Sequence, residues 1–172
     1  MRTVLAGEPA LSAELMDPPA APLLAPLVQP PLAADAAAGL DLILEGFLLH
    51  HGRPRHLAPS GPGREVLAGD YCYAHGLVRV AGAGDLFVVE ALANLIALGA
   101  GLVAAGSPAG LVPLWRATMV AIAARRSPAQ DDTAHRFLAA QRALRGDGDI
   151  GPLAVIADEL PPTPGLAEAL TP

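Results

Sequence analysis

The stretch from Asp41 to Tyr73 reads DLILEGFLLHHGRPRHLAPSGPGREVLAGDYCY. Its first part is an apolar run that predicts a helix carrying Asp41 and Glu45. A basic turn follows, His51-Gly52-Arg53-Pro54-Arg55-His56, and a second predicted helix carries the pair Gly69-Asp70. The stretch therefore predicts two helices joined by a basic connection, and the rest of the chain is interpreted around this pair.

Asp41 and Glu45 are four residues apart, so both carboxylates project from the same face of their helix. Apolar neighbours such as Leu40 and Leu44 surround them. A carboxylate is costly to bury unless it is paired or bound to a metal, and oxygen ligands at this spacing suit a Mg²⁺ ion that in turn holds a phosphate. The alternative is that this face reaches solvent, and the pair taken alone favours that alternative.

Composition indicates a helical protein with a core of small side chains. Hydrophobic residues make up 52% of the 172 residues and aromatic residues only 3%, and the abundant Ala and Leu are strong helix formers. The net charge is −6, which argues against a dedicated nucleic-acid binder. The single cysteine, Cys72, sits in an apolar run and is interpreted as a buried small hydrophobe. The N-terminus has no sustained apolar run typical of a secretory signal, so we expect a cytoplasmic protein.

The periodicity and the turn signals predict an all-α single domain over residues 1–172. It consists of a Pro-rich lead (1–30, with a short helix over 10–16), a helical core (31–145), and a short helix with a Pro-rich tail (146–172). Pro31 suits the first turn of the first long helix. The helices are predicted over about 31–50, 62–80, 85–105, 107–126, 127–146 and 150–160. No run alternates in the manner of a strand.

The segment from Leu86 to Gly106, most of it in the helix predicted over 85–105, is long and apolar enough to span a bilayer, and Glu90 is its single charge. A central carboxylate would cost roughly 2–3 kcal/mol or more in lipid. Neither a Lys/Arg cluster nor an aromatic belt marks its ends. A buried helix in an all-helical core is therefore the favoured interpretation over a membrane span.

The stretch resembles the trans-isoprenyl diphosphate synthases, the polyprenyl synthetase family. The family's DDxxD motif falls on Asp41–Glu45, its RRGxP turn on His50–Pro54, and its GD pair on Gly69-Asp70 inside the run VLAGDY. The offsets between these motifs, 52 − 41 = 11 and 69 − 52 = 17, match the family without gaps. The resemblance covers about residues 31–106 and implies a truncated helical bundle of the isoprenoid-synthase type.

This resemblance also implies a site. The family holds an allylic diphosphate and Mg²⁺ ions between two aspartate-rich motifs, and metal charge stabilises the leaving diphosphate. Carried over to this chain, the metal ligands and the other site residues are Asp41 and Glu45, with Asp131-Asp132 as an approximate second motif, Arg53, Arg55 and His51 for diphosphate, and Ala36 and Ala37 at the floor that sets chain length.

Several positions depart from the family pattern. Leu42 and Glu45 replace aspartates, and His50-His51 replace the arginine pair, although His is mostly neutral at pH 7 and offers no bidentate fork. Asp131 and Asp132 are also explained as first-turn acids that the helix dipole favours, and Arg53 and Arg55 also fit a solvated turn. The histidines 50, 51 and 56 suggest zinc, but no acid or cysteine at ligand spacing completes such a site.

Three functions follow as hypotheses. The leading one is a non-catalytic isoprenyl-synthase-like protein, either an accessory subunit of a polyprenyl synthase or a prenyl-chain binder. The second is an active Mg²⁺-dependent prenyltransferase that makes polyprenyl diphosphate. The third is a small helical interaction protein or membrane-associated protein. Expected partners are a catalytic polyprenyl synthase subunit or a second copy of the chain, with prenyl diphosphate as ligand and peripheral contact with a membrane.

Overall fold

The computed structural model describes residues 1–30 and 32–171. Within these residues the regular secondary structure is helical, apart from an isolated bridge between Leu15 and Leu57, so the all-α prediction is confirmed. Pro31, predicted to open the first long helix, lies outside the described residues. The helices are α1 (Arg2–Ala6), α2 (Pro9–Ser12), α3 (Ala25–Val28), α4 (Ala34–His51), α5 (Pro62–Gly82), α6 (Leu86–Ala104), α7 (Leu111–Ala123), α8 (Gln130–Asp147), α9 (Gly151–Ala157) and α10 (Pro164–Leu170).

Helix α4 lies at the centre of the molecule. Every residue from Gly39 to Leu49 is buried, so this helix is surrounded by other parts of the chain rather than bearing a single apolar stripe. Its last turn carries His50 and His51. The carboxylates of Asp41 and Glu45 consequently lie inside the protein.

Helix α5 packs antiparallel to α4 through glycines on both helices. A Cβ atom built on Gly39 would lie 2.8 Å from the carbonyl oxygen of Gly76, and one built on Gly46 would lie 2.9 Å from that of Gly69. Since no real Cβ makes such contacts, these glycines let the two backbones approach closely. The Gly69-Asp70 pair therefore faces the end of α4, where the Asp70 carboxylate lies 3.3 Å from the imidazole Nε2 of His50.

The main core lies between α4 and the C-terminal helices. Phe47 of α4 and Trp115 of α7 are fully buried, and their rings meet edge to face with centroids 5.4 Å apart. Arg116 connects α7 to α9, because its guanidinium donates to the carbonyl oxygen of Ala157 at 2.9 Å. The space between α4 and α7 is thus occupied by side chains.

Helix α6 is only partly covered. Asp85 begins it by accepting hydrogen bonds from the amides of Phe87 and Val88, and the Arg125 guanidinium holds the same carboxylate at 2.8 Å. Of the described helices, α6 alone is long and apolar enough to cross a membrane, with a mean hydropathy of 2.1, and 28% of it is buried. The helix, predicted to be buried in an all-helical core, is therefore buried along one face only.

The termini contain more helix than the sequence predicts. The lead has α1, α2 and α3 instead of one helix over 10–16, and the Pro-rich tail contains α10. In α2 and α10 a proline occupies the first turn, where its missing N–H is not needed. The long helices predicted over 62–80 and 85–105 are confirmed as α5 and α6, whereas the division of the chain into a single domain stays a prediction.

Candidate functional site

Asp41 is buried on α4, and its carboxylate accepts hydrogen bonds from the lead segment. Oδ1 accepts from the amides of Leu23 at 2.8 Å and Leu24 at 3.0 Å, and Oδ2 accepts from the amide of Ala25 at 3.0 Å. Ala25 is the first residue of α3, Leu24 is its N-cap residue without a side-chain cap, and Leu23 immediately precedes them. Asp41 therefore satisfies the N–H groups of the chain that leads into α3 and of the first residue of that helix.

Glu45, one turn further along α4, accepts main-chain hydrogen bonds from the basic connection. Oε1 accepts from the amides of Arg55, His56 and Leu57 at 3.1, 2.8 and 3.0 Å, and Oε2 also accepts from Arg55 at 3.0 Å. Burial raises the pKa of the Glu45 carboxyl, while the three amides and the Arg55 charge oppose that rise. Together the two carboxylates hold two segments of irregular chain against α4.

The same two carboxylates are the predicted ligands of Mg²⁺. Both carboxylates already accept several backbone N–H bonds, and a metal ion would have to displace them. Among the residues described, no group of three or more His, Cys, Asp or Glu side chains is arranged to hold a metal. In this arrangement Asp41 and Glu45 do not fit a Mg²⁺ ion, and the Mg²⁺ site stays a prediction without structural support.

Asp131 and Asp132 lie in the exposed first turn of α8. Asp132 pairs with Arg136 at 3.0 Å, and Arg136 also pairs with Glu159 at 2.7 Å. By contrast, Asp41 and Glu45 contact residues 23–25 and 55–57. That the two acidic motifs face each other across a common cavity remains only a prediction.

The basic connection contributes a shallow cavity of about 240 Å³ lined by Arg53, Pro54 and Arg55, with Glu168 of α10 on its other side. Arg55 donates from its guanidinium to the carbonyl oxygen of Ala21 at 3.0 Å. This arrangement brings together the two arginines predicted to bind diphosphate.

His51 does not contribute to the lining of that cavity. Its ring lies against Phe47 at a centroid distance of 4.9 Å. Burial, together with the adjacent His50, lowers the pKa of His51. A neutral, packed imidazole of this kind offers little charge to an anion.

The residues predicted at the chain-length floor differ in their surroundings. Ala37 is fully buried in the main core. Ala36 lines a surface cavity of about 380 Å³ together with Asp35, Val78 and Arg79. Both alanines are buried, and their role at a chain-length floor stays a prediction.

Sequence reasoning did not foresee the partners of Asp41 and Glu45. Those partners are main-chain amides at 23–25 and 55–57, which carry no residue-type signal. The sequence contains one usable hint. The segments around residues 23–25 and 55–57 are irregular and near prolines, and such segments leave main-chain N–H groups that need an acceptor.

Comparisons with known proteins gave no match: no protein-family model, no curated protein and no solved structure is similar to this chain. The resemblance to the polyprenyl synthetases therefore depends on the motif positions within residues 41–73. Its functional content is a proposal.

Proposed function

We propose that this chain is a non-catalytic protein of the isoprenyl-diphosphate-synthase type that acts as an accessory subunit of a polyprenyl synthase. The observation that carries the proposal is the state of the two carboxylates at the metal-motif positions. Asp41 and Glu45 are both buried and accept backbone hydrogen bonds from residues 23–25 and 55–57. They stabilise the fold at the place where a catalytic member would bind metal.

The packing of α4 and α5 supports the family part of this proposal. The motif offsets require two adjacent antiparallel helices with the GD pair near the basic turn. Gly39 with Gly76, and Gly46 with Gly69, provide that packing, and His50 lies beside Asp70.

The exposed face of α6 supports the proposed binding to a catalytic subunit. Leu86 is 82% exposed, and a row of small residues, Ala93, Ala97 and Gly101, continues the exposed face of the helix. Glu90 is the one charged residue on this otherwise apolar face, and an apolar helix face open to solvent is typical of a surface that another protein covers. A prenyl-chain binder is less well supported, because Phe47 and Trp115 occupy the space between α4 and α7.

The first experiment tests catalysis. The purified chain is incubated with Mg²⁺, an allylic diphosphate and labelled isopentenyl diphosphate, and products are separated by chain length. We expect no elongation by the chain alone. Elongation would instead establish the active-prenyltransferase hypothesis and overturn this proposal.

The second experiment tests partnership. The chain is co-expressed with a full-length polyprenyl synthase from the same organism, and co-purification and product length are measured. We expect association that Leu86→Glu weakens and that Val155→Glu, at a position 68% exposed on α9, leaves intact. No co-purification, or equal effects of both variants, would contradict the accessory-subunit proposal.

A further inference from the structure

A cavity of about 260 Å³ lies between the Pro-rich lead, the first half of α4 and the basic connection. Most of its wall is apolar, and its polar side chains belong to Arg2, Asp41 and His56. The lining residues are Met1, Arg2, Pro19, Ala20, Pro22, Ala25, Ala38, Asp41 and His56. Small-ligand sites have this character, a concave apolar wall with a few polar groups that fix orientation.

The imidazole of His56 is the polar group of this cavity that lacks a partner. The residue is only 8% exposed. Its main-chain amide donates to Glu45, and its carbonyl oxygen accepts from the amide of Met16. Within residues 1–30 and 32–171 neither ring nitrogen makes a hydrogen bond, and neither is fully enclosed by the fold. Because a largely buried polar ring without partners is costly, a ligand that reaches it from the cavity would be stabilised.

Positive charge prevails around this ring. Burial, with the positive charges of Arg55, the N-terminus and Arg2, lowers the pKa of His56 to about 4, so the imidazole is neutral at pH 7. Nη1 of Arg2 donates to the carbonyl oxygen of Met16 at 2.9 Å. Nη2 lies 3.9 Å from the Asp17 carboxylate, which is beyond hydrogen-bond distance. Arg2 therefore keeps N–H groups for a further acceptor.

Asp41 is the carboxylate on the cavity wall, and its charge is already engaged. The residue is 2% exposed, and its two oxygens accept the amides of residues 23–25. It therefore presents little surface to a ligand, whereas 45% of the Arg2 side chain is exposed. The cavity consequently favours an anion over a cation.

We propose that this cavity binds a small organic carboxylate ion. Its oxygens accept hydrogen bonds from the guanidinium of Arg2 and the imidazole N–H of His56, and its apolar body lies against Pro22 and Ala38. The charge-assisted hydrogen bond provides orientation, and burial of the apolar body provides the remaining affinity. This site goes beyond the proposed accessory function and shares no residue with the α6 face, so either can fail without the other.

The test is a titration of the full, ¹⁵N-labelled chain with sodium benzoate, followed by amide chemical shifts at constant ionic strength. Benzamide serves as the neutral probe of nearly the same shape. We expect saturable shifts at the amides of Ala20 and Ala38. Affinity for benzamide should be at least about tenfold weaker, because benzamide cannot accept a charge-assisted hydrogen bond.

Substitutions of Arg2 and His56 test the two polar groups. Arg2→Gln should weaken benzoate binding at least about fivefold. Arg142→Gln removes the same charge from an exposed position on α8 and should bind like the parent chain. His56→Leu removes the ring N–H and should weaken binding by a similar factor, whereas His56→Gln keeps an N–H donor and should retain most of the affinity.

A further pair of variants tests the cavity itself and does not depend on the folding of the His56 variants. Ala20→Phe fills the cavity from its wall and should weaken benzoate binding at least about tenfold, because the probe loses the space for its apolar body. Ala21→Phe is the matched control, since Ala21 is the next residue, is exposed and does not line the cavity. It should bind like the parent chain.

The proposal is overturned by equal affinity for benzoate and benzamide, by the same shifts on addition of sodium chloride alone, or by an absence of saturable shifts at millimolar probe. Equal loss in Ala20→Phe and Ala21→Phe would also overturn it, because the probe would then bind outside this cavity. Equal loss in Arg2→Gln and Arg142→Gln would have the same consequence, because binding would then follow net charge.

Discussion

Glu45 accepts hydrogen bonds from three consecutive amides, and this makes it the residue that holds the basic connection in place. Replacement by Ala leaves these buried N–H groups without an acceptor. We expect Glu45→Ala to lower the free energy of unfolding by about 3–5 kcal/mol, measured by urea denaturation. Glu90→Ala, on the exposed face of α6, is the control and should change stability by less than about 0.5 kcal/mol.

Addition of Mg²⁺ distinguishes a structural role of the Glu45 carboxylate from a role as a metal ligand. Because the oxygens of Glu45 and Asp41 are occupied by backbone donors, we expect millimolar MgCl₂ to leave the thermal unfolding midpoint of the chain unchanged. A clear rise in the midpoint that Glu45→Gln abolishes would show that the pair binds Mg²⁺, and it would contradict the structural role argued above.

His56 predicts a pH dependence of stability. Burial, with the positive charges of Arg55, the N-terminus and Arg2, lowers the pKa of His56 to about 4. The unfolded chain binds this proton near its usual pKa of about 6.5. The contribution of His56 is therefore fully present above pH ~6.5 and is lost as pH falls toward about 4, by roughly 2–3 kcal/mol.

The measurement is urea denaturation between neutral pH and pH ~4.5. We expect His56→Gln to flatten the loss of stability in this window. His75→Gln, at a half-buried position on α5, is the comparison variant and should keep the acid sensitivity of the parent chain. If both variants kept the full loss, other groups would be responsible for it.

At the scale of elements, the contact between α4 and α5 depends on the absence of side chains. A Cβ on Gly76 would lie 2.6 Å from Cγ1 of Ile43 and 2.7 Å from the carbonyl oxygen of Gly39. The backbone oxygen cannot move aside as a side chain can, so the helices would have to separate. We expect Gly76→Ala to destabilise the protein by about 1–3 kcal/mol.

Gly101 provides the matched control for that substitution. It lies inside α6, and a Cβ there meets no atom within 4 Å. Gly101→Ala should therefore stabilise the chain by about 0.5–1 kcal/mol through helix propensity. Thermal unfolding of the two variants should shift in opposite directions, and parallel shifts would refute the close-packing argument.

Prediction from the sequence succeeded for the long helices and failed for the hydrogen-bond partners of Asp41 and Glu45. The 3.6-residue period and the caps define α5 and α6 closely, and the spacing of Asp41 and Glu45 places both on one face of α4. Their hydrogen-bond partners are main-chain amides, which all residue types except proline carry. Burial of the pair therefore depends on where the Pro-rich segments dock, and this is decided by tertiary packing rather than by local pattern.

At the scale of the whole molecule, the N-terminal segment closes a second, smaller core. Leu5 and Leu11 pack with Leu42, Leu57 and Cys72 in a cluster separate from the main core. The segment is held by a short bridge, in which the amide of Met16 donates to the carbonyl oxygen of His56 and the amide of Ala58 donates to the carbonyl oxygen of Glu14. Removal of one apolar contact between the N-terminal segment and this cluster should therefore detach the segment, while α4 and the main core stay folded.

Cys72 reports on that opening. The thiol is fully buried, and burial together with the Glu45 carboxylate raises its pKa to about 12, so it should react slowly with Ellman's reagent at neutral pH. Leu5→Asp places a charge in the smaller core, and we expect labelling of Cys72 to accelerate at least about tenfold with the helical circular dichroism nearly unchanged. Leu67→Asp, at a position 70% exposed, should label like the parent chain. Slow labelling in both variants would mean that Cys72 is protected by α4 and α5 alone, whereas fast labelling in Leu5→Asp identifies the N-terminal segment as the cover that opens.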